Sequence, residues 1–269
     1  MNRLLLTLLA VTMSDPQTVS GTDATQLTAL VSAIRRADFR GDRAELRDLA
    51  ERLAAVRATD LAGFRDYWRG FALWRSGING GNETPMPADV RPDLEGAIEA
   101  FRGASKSSPD WIEPKIGLLF CWVGLAYAPG ADASKPAGSR EEWLAAVGEI
   151  REKGEQNPRA LWFAGGSKLF APAEHGGDPA RAGETYRRGL QAARDEAQSN
   201  ASAEVAAWVP AWGAAENLMS LAYLYTHGPQ KDRGLALAYA DGALALAPEW
   251  HYLGQILVPQ IEALPAPPR

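Results

Sequence analysis

Side chains that commonly do chemistry are few in this chain and are spread along it. His175, His227 and His251 are the three histidines, and none shares a helical turn with another. Because a zinc site needs three or four ligands held close together, this spacing predicts no metal site. The Gly-x-Ser-x-Gly, phosphate-loop and dinucleotide-binding patterns do not occur in the sequence. We therefore expect no cofactor, and we expect that the protein is not an enzyme.

One short stretch has residues suited to chemistry. Glu174-His175-Gly176-Gly177 combines a carboxylate, an imidazole and two glycines whose backbone N–H groups could face an anion. A tight turn that leads into the cap of the next helix accounts for the same residues without chemistry. We favour the turn, and an enzyme that uses His175 and Glu174 remains the alternative.

Charge and cysteine usage exclude further classes of protein. The net charge is -5 and no long basic run occurs, so nucleic acid is not an expected partner. Cys121 is the only cysteine, which excludes an internal disulfide and a paired-cysteine metal motif. Its apolar neighbours in 117–127 predict a small buried side chain.

The elements that position these side chains are predicted to be helices. Apolar residues recur with helical spacing along almost the whole chain, whereas the alternation typical of strands is nearly absent. Glycine and proline interrupt this pattern in two inserted loops, 77–92 and 128–138. Asp42 and Asp110 each precede a glutamate by three residues, which predicts two helix N-caps. A last helix is expected over 250–262.

One spacing of small and aromatic residues recurs. Its two full copies are Ala97-Phe101-Ala104-Pro109 and Ala236-Ala240-Ala243-Pro248, and partial copies start at Ala146 and Ala182. The small residues lie on one helical face, where they let a neighbouring helix approach closely. A helix pair cannot bury its apolar face alone, so recurring pairs are expected to stack. Between the first residues of successive copies, the steps are 49, 36 and 54 residues.

This pattern resembles the second helix of the tetratricopeptide repeat (TPR) family. First-helix features of the family are matched loosely by Trp68 with Gly70, and by Leu221, Ala222 and Tyr225. The resemblance implies a right-handed α-solenoid of about five antiparallel helix pairs. Family repeats recur about every 34 residues, so the longer steps imply inserted loops and a divergent member. The stretch from Asn157 to Asp178 is similar to exported bacterial TPR-like proteins of unknown function.

The resemblance implies a binding protein, with aromatic residues as candidate contacts. Five of the nine tryptophans lie on predicted first helices, which line the concave face of such a solenoid: Trp68, Trp74, Trp111, Trp122 and Trp162. We expect a non-catalytic scaffold that binds a protein or peptide partner. The alternative is a substrate-binding accessory protein of a transport system, which holds a small apolar ligand. A scaffold predicts an open concave face, and an accessory predicts a cavity of small-molecule size.

The chain is expected to contain one domain behind a targeting segment. Arg3 followed by the apolar run Leu4 to Met13 predicts a signal peptide over residues 1–20. The TPR-like domain is expected over 21–264, with a frayed tail at 265–269. This predicts a periplasmic or secreted protein, with a cytoplasmic protein as the alternative. The apolar run is too short to span a membrane as a mature helix, and no later segment resembles a span.

Overall fold

A computed structural model describes residues 21–57, 59–131, 139–203 and 205–265, and all of its regular structure is helical. The helices are α1 (Gly21–Arg40), α2 (Arg43–Ala54), α3 (Ala62–Gly81), α4 (Val90–Ser107), α5 (Glu113–Tyr127), α6 (Arg140–Lys153), α7 (Pro158–Phe170), α8 (Pro179–Ala203), α9 (Ala214–His227), α10 (Arg233–Leu246) and α11 (Val258–Glu262). The predicted all-α class is confirmed. The predicted signal peptide and residues 266–269 of the predicted tail lie outside the described residues.

Helices that follow one another in the chain pack together, and alternate helices form a row. The closest pairs are α3 with α4, α7 with α8, and α9 with α10. Helices α1, α3, α5, α7 and α9 also contact one another in that order. The repeated small residues lie where neighbouring helices meet, since Ala97, Ala104, Ala182, Ala236 and Ala243 are fully buried. Alanine at these positions allows close contact between helices.

The predicted end of α3 is wrong, because the helix continues into the expected loop 77–92 as far as Gly81. The reason is packing against α4. A Cβ atom at Gly77 would lie 2.9 Å from Leu94 Cδ2, and one at Gly80 would lie 2.7 Å from Val90 Cγ2. These glycines therefore admit the neighbouring helix rather than end their own.

Two predicted helix boundaries also differ from the structure. The cap at Asp42 is confirmed, since its carboxylate accepts a hydrogen bond from the backbone N–H of Glu45 at 3.0 Å. The expected cap at Asp110 is wrong, because α5 begins at Glu113 with no side-chain cap. The expected last helix is divided into a π-helical segment, Tyr252–Leu257, followed by α11.

Candidate functional site

A groove of about 920 Å³ lies on the row of alternate helices, with side chains from α3, α5, α7 and α9 along it. Eleven of its lining residues are aromatic. Further walls come from α6, α8 and the segment after α10, which contribute Trp143, Tyr186 and Trp250. The sequence places one or more large rings on each of these elements, and their convergence produces an apolar concave surface.

Stacked rings from three helices form the floor of the groove. The Phe120 ring lies 4.8 Å from that of Trp74 and 4.7 Å from that of Trp162, measured between ring centroids. Trp162 Nε1 donates a hydrogen bond to Ser220 Oγ at 2.7 Å, which fixes the indole of Trp162 against α9. Trp74 is 1 % exposed, and among the described residues its Nε1 has no hydrogen-bond partner. The floor is therefore rigid and largely apolar.

The rim of the groove exposes large apolar side chains to solvent. Tyr127 at the end of α5 is 72 % exposed, and Phe170 at the end of α7 is 62 % exposed. Val123, one turn before Tyr127, is also exposed. All three line the groove. A contiguous apolar patch of this kind commonly marks a surface that binds a partner or a ligand.

Among the described residues that line the groove, Arg75 is the only charged one. It is buried, and its Nε donates a hydrogen bond to Asp38 Oδ1 at 2.6 Å. Asp38 is fully buried on α1 and does not line the groove. Asn79, one turn after Arg75, donates to the backbone carbonyl oxygen of Asp38 at 3.2 Å. A carboxylate behind the wall thus holds the guanidinium in place at the surface of the groove.

Charges alternate in a line that starts at the groove. Asp38 Oδ2 lies 3.7 Å from Arg35 Nη1, and Arg35 Nη2 lies 3.2 Å from Glu216 Oε1. The other oxygen of Glu216 accepts a hydrogen bond from the backbone N–H of Gly213 at 2.9 Å, at the start of α9. Arg75, at the cationic end of this line, lines the groove. Glu216, at the anionic end, accepts its hydrogen bond inside the fold.

Two of the tyrosines that line the groove, Tyr186 and Tyr252, stay neutral at physiological pH. Burial raises the pKa of the Tyr186 phenol well above its ordinary value, and burial raises the pKa of Tyr252 to about 12. Neither phenol therefore supplies a negative charge to balance Arg75. The groove combines aromatic surface with one positive charge.

The structure places two of the five predicted tryptophans in the groove and three outside it. Trp74 and Trp162 line the groove. Trp68 is buried, and its Nε1 donates to the carbonyl oxygen of Trp208 at 2.6 Å. Trp111 packs on Phe64, and Trp122 is buried beside Trp143. These last three do not line the groove, so membership of a predicted first helix does not by itself place a ring there.

Sequence reasoning missed several groove residues. Phe120 lies two residues before Trp122, and Phe163 directly follows Trp162. Their closeness to predicted tryptophans could have indicated that they line the groove. Trp250 comes from the segment that follows the last repeat copy, where no groove was expected. Arg75 follows Trp74 directly, but its charge gave no sign that it would be buried. Only the packing of α1 against α3 brings Asp38 to it.

The stretch from Glu174 to Gly177 forms a turn, as predicted. His175 ends a short 3₁₀ helix, Gly176 has a φ of 89°, and Gly177 N–H donates to the carbonyl oxygen of Pro172 at 3.0 Å. Glu174 and His175 are exposed and do not line the groove. Within the described part of the chain, no group of three or more His, Cys, Asp or Glu residues is placed to hold a metal ion.

None of the described helices is both long enough and apolar enough to cross a membrane. No protein-family model, curated protein or solved structure matches the chain significantly. The case for a function therefore rests on the residues of this chain.

Proposed function

We propose that this protein is a non-catalytic binding protein that holds a small, largely apolar organic ligand in the aromatic groove. The observation that carries the proposal is the groove itself, about 920 Å³ in volume and lined by eleven aromatic residues. Sites for small molecules and cofactors commonly measure about 300–1,000 Å³ and are mostly apolar. Fixed rings at the floor lose little conformational freedom when a ligand binds, which favours affinity.

The second candidate is a short apolar segment of a protein partner, which the sequence alone placed first. The exposed rim favours it, because Tyr127 and Phe170 extend the apolar surface beyond the cavity. A peptide that enters the groove would cover these side chains as well as the floor. The volume and the buried floor favour the small ligand, so we propose it first and keep the peptide as the second candidate.

We further propose that the architecture is a divergent, TPR-like, right-handed solenoid of about five helix pairs with inserted loops. Two observations support this proposal. The alternate helices α1, α3, α5, α7 and α9 contact one another in chain order, as the first helices of stacked pairs do. The repeated alanines of the second helices are buried at helix contacts. The groove then lies on the side of the first helices.

A substitution that fills the groove tests whether a ligand binds there or elsewhere on the surface. Gly166 lines the groove, and a Cβ atom there would have only Tyr186 Oη within 4 Å, at 3.8 Å. Gly166→Leu should therefore place its side chain in the groove without disturbing the core. Gly148→Leu is the matched control, because a Cβ atom at Gly148 on α6 has nothing within 4 Å.

The test is a screen of small organic compounds by thermal shift, followed by titration calorimetry of those that stabilise the protein. We expect Gly166→Leu to abolish binding and Gly148→Leu to leave it unchanged. Compounds that bind both variants equally would contradict the proposal. Phe170→Ser, with Leu246→Ser as its control at an exposed site outside the groove, separates the candidates. A peptide should lose affinity in Phe170→Ser, whereas a ligand confined to the floor should not.

Export remains a proposal that rests on the apolar run Leu4 to Met13 behind Arg3. N-terminal sequencing of the protein from fractionated native cells tests it. We expect a mature chain in the periplasm or medium that begins near residue 21. An intact Met1-Asn2-Arg3 start in a cytoplasmic fraction would contradict export.

A further inference from the structure

The chain buries two arginines whose N–H donors are paired to different extents. Arg159 is 3 % exposed and Arg75 is 4 % exposed. All three side-chain nitrogens of Arg159 donate hydrogen bonds, to Glu113, Glu196 and the carbonyl oxygen of Trp212. Among the described residues, only the Nε of Arg75 donates, to Asp38. Because a guanidinium carries five N–H donors, four of those on Arg75 remain without an acceptor.

Arg75 lines the groove, and these four N–H groups are on its two Nη atoms, which lie beyond Nε at the end of the side chain. Asp38 accepts from Nε and lies behind the wall, since it is fully buried and does not line the groove. The Trp74 ring flanks the guanidinium, with Arg75 Cζ 5.1 Å from the ring centroid. An arginine held in this way presents a planar pair of donors, which matches the two oxygens of a carboxylate.

The charge of the groove also selects an anion. Arg75 is the only charged residue among the described lining residues, so no carboxylate competes inside the groove. Asn79 and Asn82, one and two helical turns after Arg75, add neutral amides on the same wall. A ligand with no acceptor group at this point would cover the guanidinium and leave its donors unpaired, which costs free energy in a buried site. A carboxylate would accept hydrogen bonds from two of these donors and also place a negative charge beside the guanidinium.

We propose that the groove binds a small organic anion, in which an aromatic or similarly flat apolar body lies on the stacked rings and one carboxylate pairs end-on with Arg75. This inference rests on the proposed function, because it assumes that the groove is the ligand site. It adds the chemical class of the ligand. It also gives Asp38 and Arg35 a role as positioning residues. Asp38 binds the Nε edge of the guanidinium and leaves the Nη atoms for the ligand.

The test compares two ligands of the same shape on the wild-type protein. Naphthoate carries a carboxylate, and naphthamide replaces it with a neutral amide. Titration calorimetry at low and at moderate salt should show that naphthoate binds at least about tenfold more tightly, as expected for a charge-assisted hydrogen-bonded pair. This arm uses no substitution, so it stands even if an arginine variant folds poorly.

Arg75→Gln supplies the second arm, because glutamine keeps an N–H for Asp38 and removes the charge. We expect this variant to bind naphthoate no more tightly than naphthamide. Arg188→Gln is the matched control, since Arg188 is exposed on α8 and does not line the groove. It should keep the full preference for naphthoate.

The two hypotheses fail in different ways. If both probes bind equally to the wild type and Gly166→Leu blocks both, the groove is a ligand site and the anion inference is wrong. If Gly166→Leu blocks neither probe, or neither probe nor any screened compound binds, the proposed function fails as well. A short aromatic peptide that binds the groove while naphthoate does not would overturn the small anion in favour of the peptide.

Discussion

The wall of the groove and the junction of α5, α7 and α8 each bury one arginine, and the donors of the two arginines are paired differently. At the junction, Glu113 and Glu196 surround Arg159, and Asn157 adds a hydrogen bond of 2.5 Å to Glu113. At the wall of the groove, Arg75 donates to Asp38 on one side and lines the groove. A buried charge whose donors are all paired stabilises one arrangement of helices, whereas a buried charge with unpaired donors is available to a ligand.

The largest expected effect is on the stability of the junction. Arg159→Gln removes the cation from Glu113, which is 4 % exposed, and leaves that carboxylate buried without a matching charge. Breaking a buried pair in this way typically costs about 3–5 kcal/mol. Arg75→Gln also takes a cation from a buried carboxylate, but it should cost less, about 1.5–3 kcal/mol, because Arg35 Nη1 stays 3.7 Å from Asp38 Oδ2 and glutamine keeps an N–H donor for Asp38.

Urea denaturation of the two variants and the wild type measures this difference in the free energy of unfolding. We expect Arg159→Gln to lower the stability more than Arg75→Gln does. We expect the reverse for ligand affinity, which Arg75→Gln should lower more. Equal losses of stability in Arg75→Gln and Arg159→Gln would show that Arg75 is as much a structural residue as Arg159.

A pair of adjacent glycines tests the wall of the groove. A Cβ atom at Gly165 would lie 2.4 Å from Tyr186 Cε1, a ring that is 1 % exposed and has little room to move. Gly165→Ala should therefore destabilise the protein by about 1–3 kcal/mol, the usual cost of overpacking. Gly166→Ala has space and should stabilise α7 by up to about 1 kcal/mol, because alanine favours helices.

Thermal unfolding of both glycine variants gives the sign of each effect directly. Opposite signs at neighbouring positions would locate the boundary between packed interior and open groove within one residue. A shift in the same direction for both would place that boundary elsewhere.

The smallest effect is expected where Arg43 and Arg47 pair with Asp89. Asp89 is exposed to solvent, in contrast to the two buried arginines. A hydrogen bond from Arg43 holds the pKa of Asp89 below its ordinary value, with further contributions from Arg47. A lowered pKa in the folded state means that Asp89 adds stability above its unfolded-state pKa. That stability is lost as the pH falls through the lower, folded-state pKa.

Asp89→Asn should therefore cost less than about 1 kcal/mol at pH 7, since exposed pairs are weak. The difference between variant and wild type should vanish in strong acid and shrink in high salt. Denaturation curves from neutral pH to strong acid measure it. A difference that persists unchanged below the folded-state pKa would rule out the ion pairs as its cause.

Local signals predicted the helices well and their ends less well. The cap at Asp42 depends on a neighbour three residues later, and its carboxylate accepts the expected backbone hydrogen bond. The predicted cap at Asp110 fails because Glu113 accepts hydrogen bonds from Arg159, 46 residues later in the chain. Likewise α3 continues past Gly77 because α4 packs against it.

The sequence predicted the type of residue that lines the candidate site, but not which individual residues do so. Aromatic rings on the first helices were the right class of residue, and Trp74 and Trp162 line the groove. Trp68 lies on α3, like Trp74, and Trp122 lies on α5, but both are buried away from the groove. Helical spacing gives the angle between side chains of one helix, but not the rotation of that helix relative to its neighbours.

The sequence by itself determined the all-α class, most helices and the buried positions of the repeated alanines. These features depend on periodicity and on residues close in the chain. Only the tertiary structure decided which rings line the groove and which arginine keeps unpaired donors. Arg75 and Arg159 both lie on predicted helices, and nothing local distinguishes them. The difference is set by Asp38, Glu113 and Glu196, which lie 37 to 46 residues from the arginine each one meets.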